Sequence, residues 1–396
     1  MDKKMINIGI IALCFFSFFG YASHNDFVLL IFGLIPLIVV AIMKKDLKIY
    51  YKTIIWLICY IIVIFSYTYS INKTSTLYYI VYFGVLLLCK LILDKNNDWP
   101  KFFLKVVMIF CSIHLFFSCV SLINTDIVRN INVNFMNSVQ LQNFDNWTKL
   151  GAKIGIHSDP SMMAFIASVS LGIAFSKILS NEKSNIWKIA FAISALSLLI
   201  TTKRGILLAV IVAIATLILS QDNMNKKIVN ILKITVVMII GYLIIQQLSI
   251  FNSIFERFNN LDSNNYLSGR EDLYQKEISK IKENVFIGNG AFTTNKFLDG
   301  YDGHNIYIQI LLEYGLFGEI GFVILFLYNI YITLKALRNL NSEDGKVDVY
   351  FSFYIQVLFL VYGISGNPLY NFYIFSIYII SSSIPITELK RINKIN

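Results

Sequence analysis

The chain has 396 residues, of which 56% are hydrophobic and only 15% charged, and its mean hydropathy is +0.64. Apolar runs of roughly 15 to 22 residues recur from end to end, where a soluble α/β enzyme would alternate short strands with amphipathic helices, so the composition excludes a soluble fold and reads as a polytopic membrane protein. The formal net charge of +10 follows from loop topology and calls for no nucleic-acid partner.

In chain order the apolar pattern predicts twelve spans, near 6–21, 27–43, 53–68, 76–93, 102–123, 161–179, 186–201, 205–220, 228–248, 315–335, 350–364 and 370–386. The Met1–Lys4 head and the run behind it read as an uncleaved first helix, because further spans follow at once. Basic residues fall on alternate ends: Lys3 and Lys4, Lys44 to Lys52, Lys95 and Lys101, Lys183, Lys226 and Lys227, Lys335 to Lys346, and Lys390 to Lys394. Cytoplasmic loops retain such residues, so both termini are expected on the cytoplasmic side of the membrane. The five cysteines, Cys14, Cys59, Cys89, Cys111 and Cys119, all lie in apolar segments and lack metal or redox spacing. They read as small core or lipid-facing residues.

Two outer loops, about 124–160 and 249–314, are too long to be mere connectors. They divide the chain into 1–160, 161–248 with a hairpin, the large loop 249–314, and C-terminal spans 315–396. In the first loop Phe144 and Trp147 suit the headgroup layer. Asn72-Lys-Thr and Asn146-Trp-Thr match a glycosylation sequon too short to carry weight.

Between the seventh and eighth spans, LSLLITTKRGILLAVIVA sets Lys203 and Arg204 inside an apolar run. Trp187 to Ser220 is 34 residues, which as one helix would extend about 51 Å, against a hydrocarbon core of about 30 Å. Two spans are therefore required. A cation at mid-membrane costs roughly 2.5–3.5 kcal/mol, and a hairpin turn at Thr201, Thr202 and Gly205 removes most of that. Two readings remain open for the pair: cations snorkelling at an interface, or fixed positive charge for an anionic ligand, to which a guanidinium is better suited than an ammonium.

In the large loop, Ser268-Gly-Arg-Glu271 has the capping-box spacing that opens a helix. Tyr274, Ile278, Ile281 and Val285 continue at helical spacing, Asp272 and Lys276 form an i,i+4 pair, and Gly288 and Gly290 stop the helix. Arg270 falls in the first turn, where free N–H groups and a guanidinium would hold a phosphate together. Further on, Asp302-Gly-His304-Asn305 precedes an amphipathic segment that Asp302 or Asn305 would cap. His304 then lies at a helix N-terminus, whose positive end favours the neutral imidazole able to accept a proton. His24, His114 and His157 read as structural. Gly315, Gly318 and Gly321 read as close-packing positions, and Glu313 and Glu319 as either interface or pocket.

Taken in order, the TTKRG turn, SGREDLYQKEISKIKENVFIGNGAF and HNIYIQILLEYGLFG resemble the O-antigen ligase and Wzy-type polysaccharide polymerase superfamily over roughly residues 160 to 335. The resemblance implies an all-α polytopic membrane protein of GT-C-type architecture: a metal-independent, cofactor-free glycosyltransferase of the cell envelope. Its active site would lie outside the bacterial cytoplasmic (inner) membrane. The implied substrates are undecaprenyl-diphosphate-linked oligosaccharides held among membrane lipids, with a chain-length regulator and a flippase as expected associates. Arg204 and Arg270 match the arginines that engage the lipid diphosphate, and His304 matches the histidine implicated in catalysis. Lys203 stands where the family commonly has another residue. Lys203, Glu271, Tyr274, Asp302 and Asn305 are expected around the substrate, with Asp302, Glu271 and Asp272 as rival bases. A repeat-unit polymerase of O-antigen or capsular type is the expected activity. The alternatives are a ligase delivering finished polymer to another acceptor and a transporter of lipid-linked oligosaccharide. A transporter would carry charge through its spans, whereas the notable cations here gather on one side.

Overall fold

The computed structural model describes residues 2–20, 53–182, 184–221, 224–225, 227–232, 271–301, 303–340 and 343–395. The predicted span 27–43 and most of 228–248 lie outside the described residues, as do Arg270 and Asp302. All regular structure among the described residues is helical. The helices are α1 (Asp2–Phe19), α2 (Ile54–Ser66), α3 (Lys73–Lys95), α4 (Pro100–Ile123), α5 (Thr125–Asn132), α6 (Ser138–Lys149) and α7 (Pro160–Leu179). They continue with α8 (Asn185–Ile200), α9 (Arg204–Leu219), α10 (Glu271–Glu283), the single turn α11 (Thr294–Phe297), α12 (Ile306–Asn339), α13 (Glu343–Tyr362) and α14 (Phe372–Ile395). Ten of the twelve predicted spans coincide with one of these. Five helices, α3, α4, α7, α12 and α14, are long and apolar enough to cross a membrane, and α2, α8 and α9 are shorter apolar helices. This is a multi-pass membrane protein.

Burial sorts the helices into layers. In α7, 89% of the apolar window is buried, against 39% in α4, whose Ile109 and Phe116 stay exposed as a lipid-facing stripe. Small residues allow that depth. Ala164, Ala167, Ser168, Gly172 and Ala174 line α7, and Gly172 takes the Tyr354 ring of α13 against its backbone. The hydroxyls of Ser168 and Ser176 donate to their own helix at Ala164 O and Gly172 O (2.7 and 2.8 Å), which removes the cost of burying them. α7 packs on α8 and α13, α13 on α9 and α14, and α14 on α3, while α12 closes the bundle against α2, α13 and α14. Cys14, Cys59, Cys89 and Cys111 are buried in this core and Cys119 partly so.

Some expectations are corrected. The first long loop is folded: Asn124 Oδ1 caps α5 at Asp126 N (2.9 Å), Asn137 and Gln140 make a full capping box on α6, and Arg129 joins the two helices through a bidentate pair with Asp145. Phe144, expected at headgroup level, is fully buried, because α6 lays its apolar face on the bundle. In α10 the buried residue is Glu277, whereas Ile278 and Val285 are exposed, and Lys276 pairs with Asp299 (2.9 Å) in place of Asp272. Only half of the predicted stripe turns inward: Tyr274 and Ile281 are half-buried, and tertiary packing gives Glu277 the buried position.

Gly315 is also reassigned. It has φ 66° and ψ −170°, so α12 breaks there instead of packing through it. The chain on both sides of the break is held by its neighbour: Leu316 N and Phe317 N donate to Val285 O and Phe286 O (2.8 and 3.4 Å), and Asn289 N and Gly290 N donate to Leu312 O and Glu313 O (2.9 and 2.8 Å). A Cβ on Gly315 would run into Phe286 O. Gly321, by contrast, packs on Ile62 of α2 as expected. Gly315→Ala combines a backbone conformation closed to alanine with that clash and is expected to cost about 2–4 kcal/mol. Gly300→Ala, at φ 92° but with open space around it, carries the strain alone and should cost about 1 kcal/mol. Thermal unfolding of the two variants in detergent checks this, and equal shifts would refute the clasp as a stabilising element.

Candidate functional site

The turn between α8 and α9 is built from its own residues. Thr201 Oγ1 donates to Leu198 O (2.7 Å), Thr202 takes the left-handed conformation at φ 59°, and α9 begins at Arg204 with Lys203 in the N-cap position. Lys153 N donates to Ile200 O (2.9 Å), so the segment between α6 and α7 is fastened over the turn. Lys203 Nζ stands 4.2 Å from the centroid of the Trp147 ring, a cation–π contact. Gly205 lets the turn meet the 363–371 segment, because a Cβ there would strike Ser365 Oγ. Both cations thus sit at the positive end of α9, an arrangement the helix dipole opposes and an anion relieves.

The second wall is the start of α12. Asn305 caps it, its Oδ1 accepting from Tyr307 N and Ile308 N (3.0 and 3.3 Å), so of the two predicted caps Asn305 fills the role. Ile306 N donates to Gly363 O (2.8 Å) and Tyr307 Oη to Leu360 O (2.9 Å), which ties this helix start to the end of α13. His304 immediately precedes the cap. Below it the Glu313 carboxylate is saturated: Oε2 accepts from Phe292 N (2.8 Å), and Oε1 from Thr294 Oγ1 (2.6 Å), Gln309 Nε2 (3.0 Å) and Thr294 N (3.4 Å). The same 290–294 segment is gripped from behind, where Ser70 Oγ and Thr76 Oγ1 donate to Ala291 O (2.7 and 2.8 Å) and Asn72 Nδ2 to Phe292 O (3.2 Å). Asn72 therefore has a structural use unrelated to the sequon.

These walls enclose a cavity of about 920 Å³. Lys203, Arg204 and His304 all line it, so the hairpin cations and the histidine of the distant loop share one space. Glu313 also lines it, which resolves its earlier ambiguity toward the pocket; Glu319 does not. Glu271, exposed at the start of α10, and half-buried Tyr274 are not among the lining residues, and Asn305 serves as the cap beside the cavity. Sequence reasoning missed Trp147, Asp159, Asn295, Gln309 and Asn367, which line the cavity from four separate segments. Asp159 carried a usable signal: it precedes Pro160, and its carboxylate caps α7 at Ser161 N (2.8 Å). Asp159 N in turn donates to Nδ1 of buried His157 (3.1 Å), and burial lowers that imidazole to about 3, in keeping with a structural role.

Behind His304 lies Glu277. It is fully buried, neither carboxyl oxygen has a hydrogen-bond partner among the described residues, and its Oε1 lies 2.6 Å from where a Cβ on Gly303 would stand. Burial, and then the neighbouring Glu313 charge, push its carboxyl up to about 7.

Residues 189–326, which run from α8 into α12, match the family model Wzy_C, described as O-antigen ligase. Comparison with curated proteins finds no match.

The Glu277 environment sets a pH dependence with a defined sign. Its native carboxyl binds a proton up to about pH 7, whereas the unfolded chain releases it near 4.5. The native state therefore holds more protons between those values, and its contribution to stability falls as pH rises from about 4.5 to 7 and is flat above. Glu277→Gln should remove that slope and raise the apparent Tm at pH 8 relative to the parent. A variant less stable than the parent at pH 8 would sink this account.

Proposed function

Because residues 189–326 carry the domain of the O-antigen ligase family, we propose that this protein is a metal-independent, inverting membrane glycosyltransferase. In this reading it is a polysaccharide repeat-unit polymerase, transferring a glycan from an undecaprenyl-diphosphate carrier onto a lipid-linked repeat unit on the outer face of the cytoplasmic membrane. The convergence of Lys203, Arg204 and His304 on one cavity carries the proposal, since they are about a hundred residues apart in sequence and come from different helices.

The chemistry assigns each group a part. The bond between the anomeric carbon and the phosphate oxygen breaks, and its electron pair leaves with the diphosphate. Arg204 stabilises the charge that develops there, aided by the positive end of α9 and by Lys203, whose position over Trp147 is fixed. Arg270 is assigned to the same diphosphate from its place before α10. The acceptor hydroxyl attacks the anomeric carbon from the opposite face and gives its proton to His304, which directly precedes the Asn305 cap of α12. The same donor chemistry serves a ligase, a reading favoured by the description of the matched family itself. Polymerase and ligase differ in acceptor, so the length distribution of the product separates them.

Purified protein incubated with lipid-diphosphate-linked repeat units should yield a ladder of glycan lengths that persists in the presence of a chelator. Arg204→Ala, Arg270→Ala and His304→Ala should each lower the initial rate by about 10²–10³-fold with expression retained. Unchanged substrate with folded protein would defeat the polymerase, transfer of a single finished chain to a different acceptor would establish the ligase, and full activity in all three variants would defeat the site assignment.

A further inference from the structure

The large loop carries an apolar stretch at the end of α10: Val285, Phe286 and Ile287 are 40%, 62% and 52% exposed. Consecutive exposed apolar residues mark a contact surface, and their position identifies the partner. Past the break at Gly315, the long piece of α12 runs from Leu316 to Asn339, about 36 Å at about 1.5 Å per residue, enough to cross a hydrocarbon core of about 30 Å. Phe317, Ile320, Ile324, Leu327 and Tyr331 stand exposed along it at alternating spacings of three and four residues, one stripe of a helix turned to lipid. Phe286 extends that stripe beyond its end, with its ring centroid 6.3 Å from that of Phe317. Beside it α2, which packs on α12, exposes Ile58, Ile61 and Phe65 at the same helical spacing.

Irregular backbone enters a bilayer only where its polar groups are met. Here the carbonyls of all three residues accept from the spans or their ends: Val285 O from Leu316 N (2.8 Å), Phe286 O from Phe317 N (3.4 Å), and Ile287 O from the hydroxyl of Tyr69, just past α2 (2.9 Å). α10 is itself two-faced. Ile278, seven residues before Val285, is exposed with it, whereas Asp272, Lys276, Ser279 and Glu283 are exposed at the spacing of the opposite face.

We infer that residues 285–287 are seated in the bilayer leaflet at the cavity end of the bundle, their side chains among lipid acyl chains and the polar face of α10 toward the headgroups and water. Phe65, Tyr69, Phe286 and Phe317 then form an aromatic girdle at that depth, with the Phe65 and Tyr69 rings in edge contact at 5.8 Å. The half of the α10 stripe that does not turn inward turns to lipid. The seat also joins the membrane to the site, because the same carbonyls clasp the break at Gly315, on whose other side stand Glu313 and the helix start that follows His304.

Full-length protein in nanodiscs is spin-labelled at one introduced cysteine at a time, in Phe286→Cys, Ile287→Cys, Phe317→Cys and Ser279→Cys, with the unsubstituted protein carried through the same labelling as background. Collision of each label with oxygen, which concentrates in hydrocarbon, is compared with collision with a water-soluble nickel chelate. Labels at positions 286 and 287 should favour oxygen, as at 317, and the label at 279 should favour the chelate. Preference for the chelate at 286 and 287 would put the stretch in water and overturn the seat. Shielding from both reagents would mean a protein partner, a second copy included, and overturn it equally. With no substitution at all, a diazirine carried on a lipid acyl chain should photolabel the peptide containing Val285 to Ile287; labelling of the α12 stripe without that peptide would also overturn the seat. None of these readouts requires glycosyl transfer, so the seat and the polymerase stand or fall separately.

Discussion

The site depends on a broken helix. At Gly315 α12 takes a conformation that ends its first segment, and the backbone of 285–290 pairs with both sides of the break. Unpaired N–H and C=O groups are costly away from water, so the break can exist only because those groups are met by another chain segment. The segment that meets them continues into 291–294, where Glu313 gathers Phe292 N, Thr294 N and the Thr294 hydroxyl onto one carboxylate. The short helical piece bearing His304 is thereby anchored independently of the long piece below it.

Around that anchor, three otherwise distant parts of the chain are brought to one end of the bundle. Ile306 and Tyr307 are bonded to the end of α13, Gly205 admits Ser365 against the α8–α9 turn, and Lys153 fastens the segment between α6 and α7 to Ile200. The ties use backbone atoms, a missing side chain and the Tyr307 hydroxyl, which leaves the side chains of Lys203 and Arg204 to line the cavity. The electrostatics follow from the same geometry. Lys203 and Arg204 at the start of α9 concentrate positive potential, and the saturated Glu313 carboxylate on the opposing wall gives the cavity two ends of different character.

Much of this was legible from residue order. Apolar run length located ten helices correctly, and the length of Trp187–Ser220 forced a turn at Lys203 and Arg204 because one helix would overrun the bilayer. Asn305 was readable as a cap from its residue type and place before an apolar segment. The inward face of α10 was not readable: Glu277 is buried and Ile278 exposed, an inversion that hydrophobic periodicity cannot anticipate. Trp147 and Phe144 were assigned by the general preference of aromatics for the membrane interface, whereas α6 folds against the bundle and uses one as core and the other as the partner of Lys203.

The sequence by itself determined that the chain spans a membrane repeatedly, that its two cations lie at a turn, and that His304 precedes a helix, because run length, charge cost and capping are local properties. Only the tertiary structure decided that the turn and the histidine share one cavity and that Glu313, Asn295, Gln309 and Asn367 line it. Convergence and hydrogen-bond saturation are properties of pairs of residues far apart in the chain. They come into being only when the helices pack.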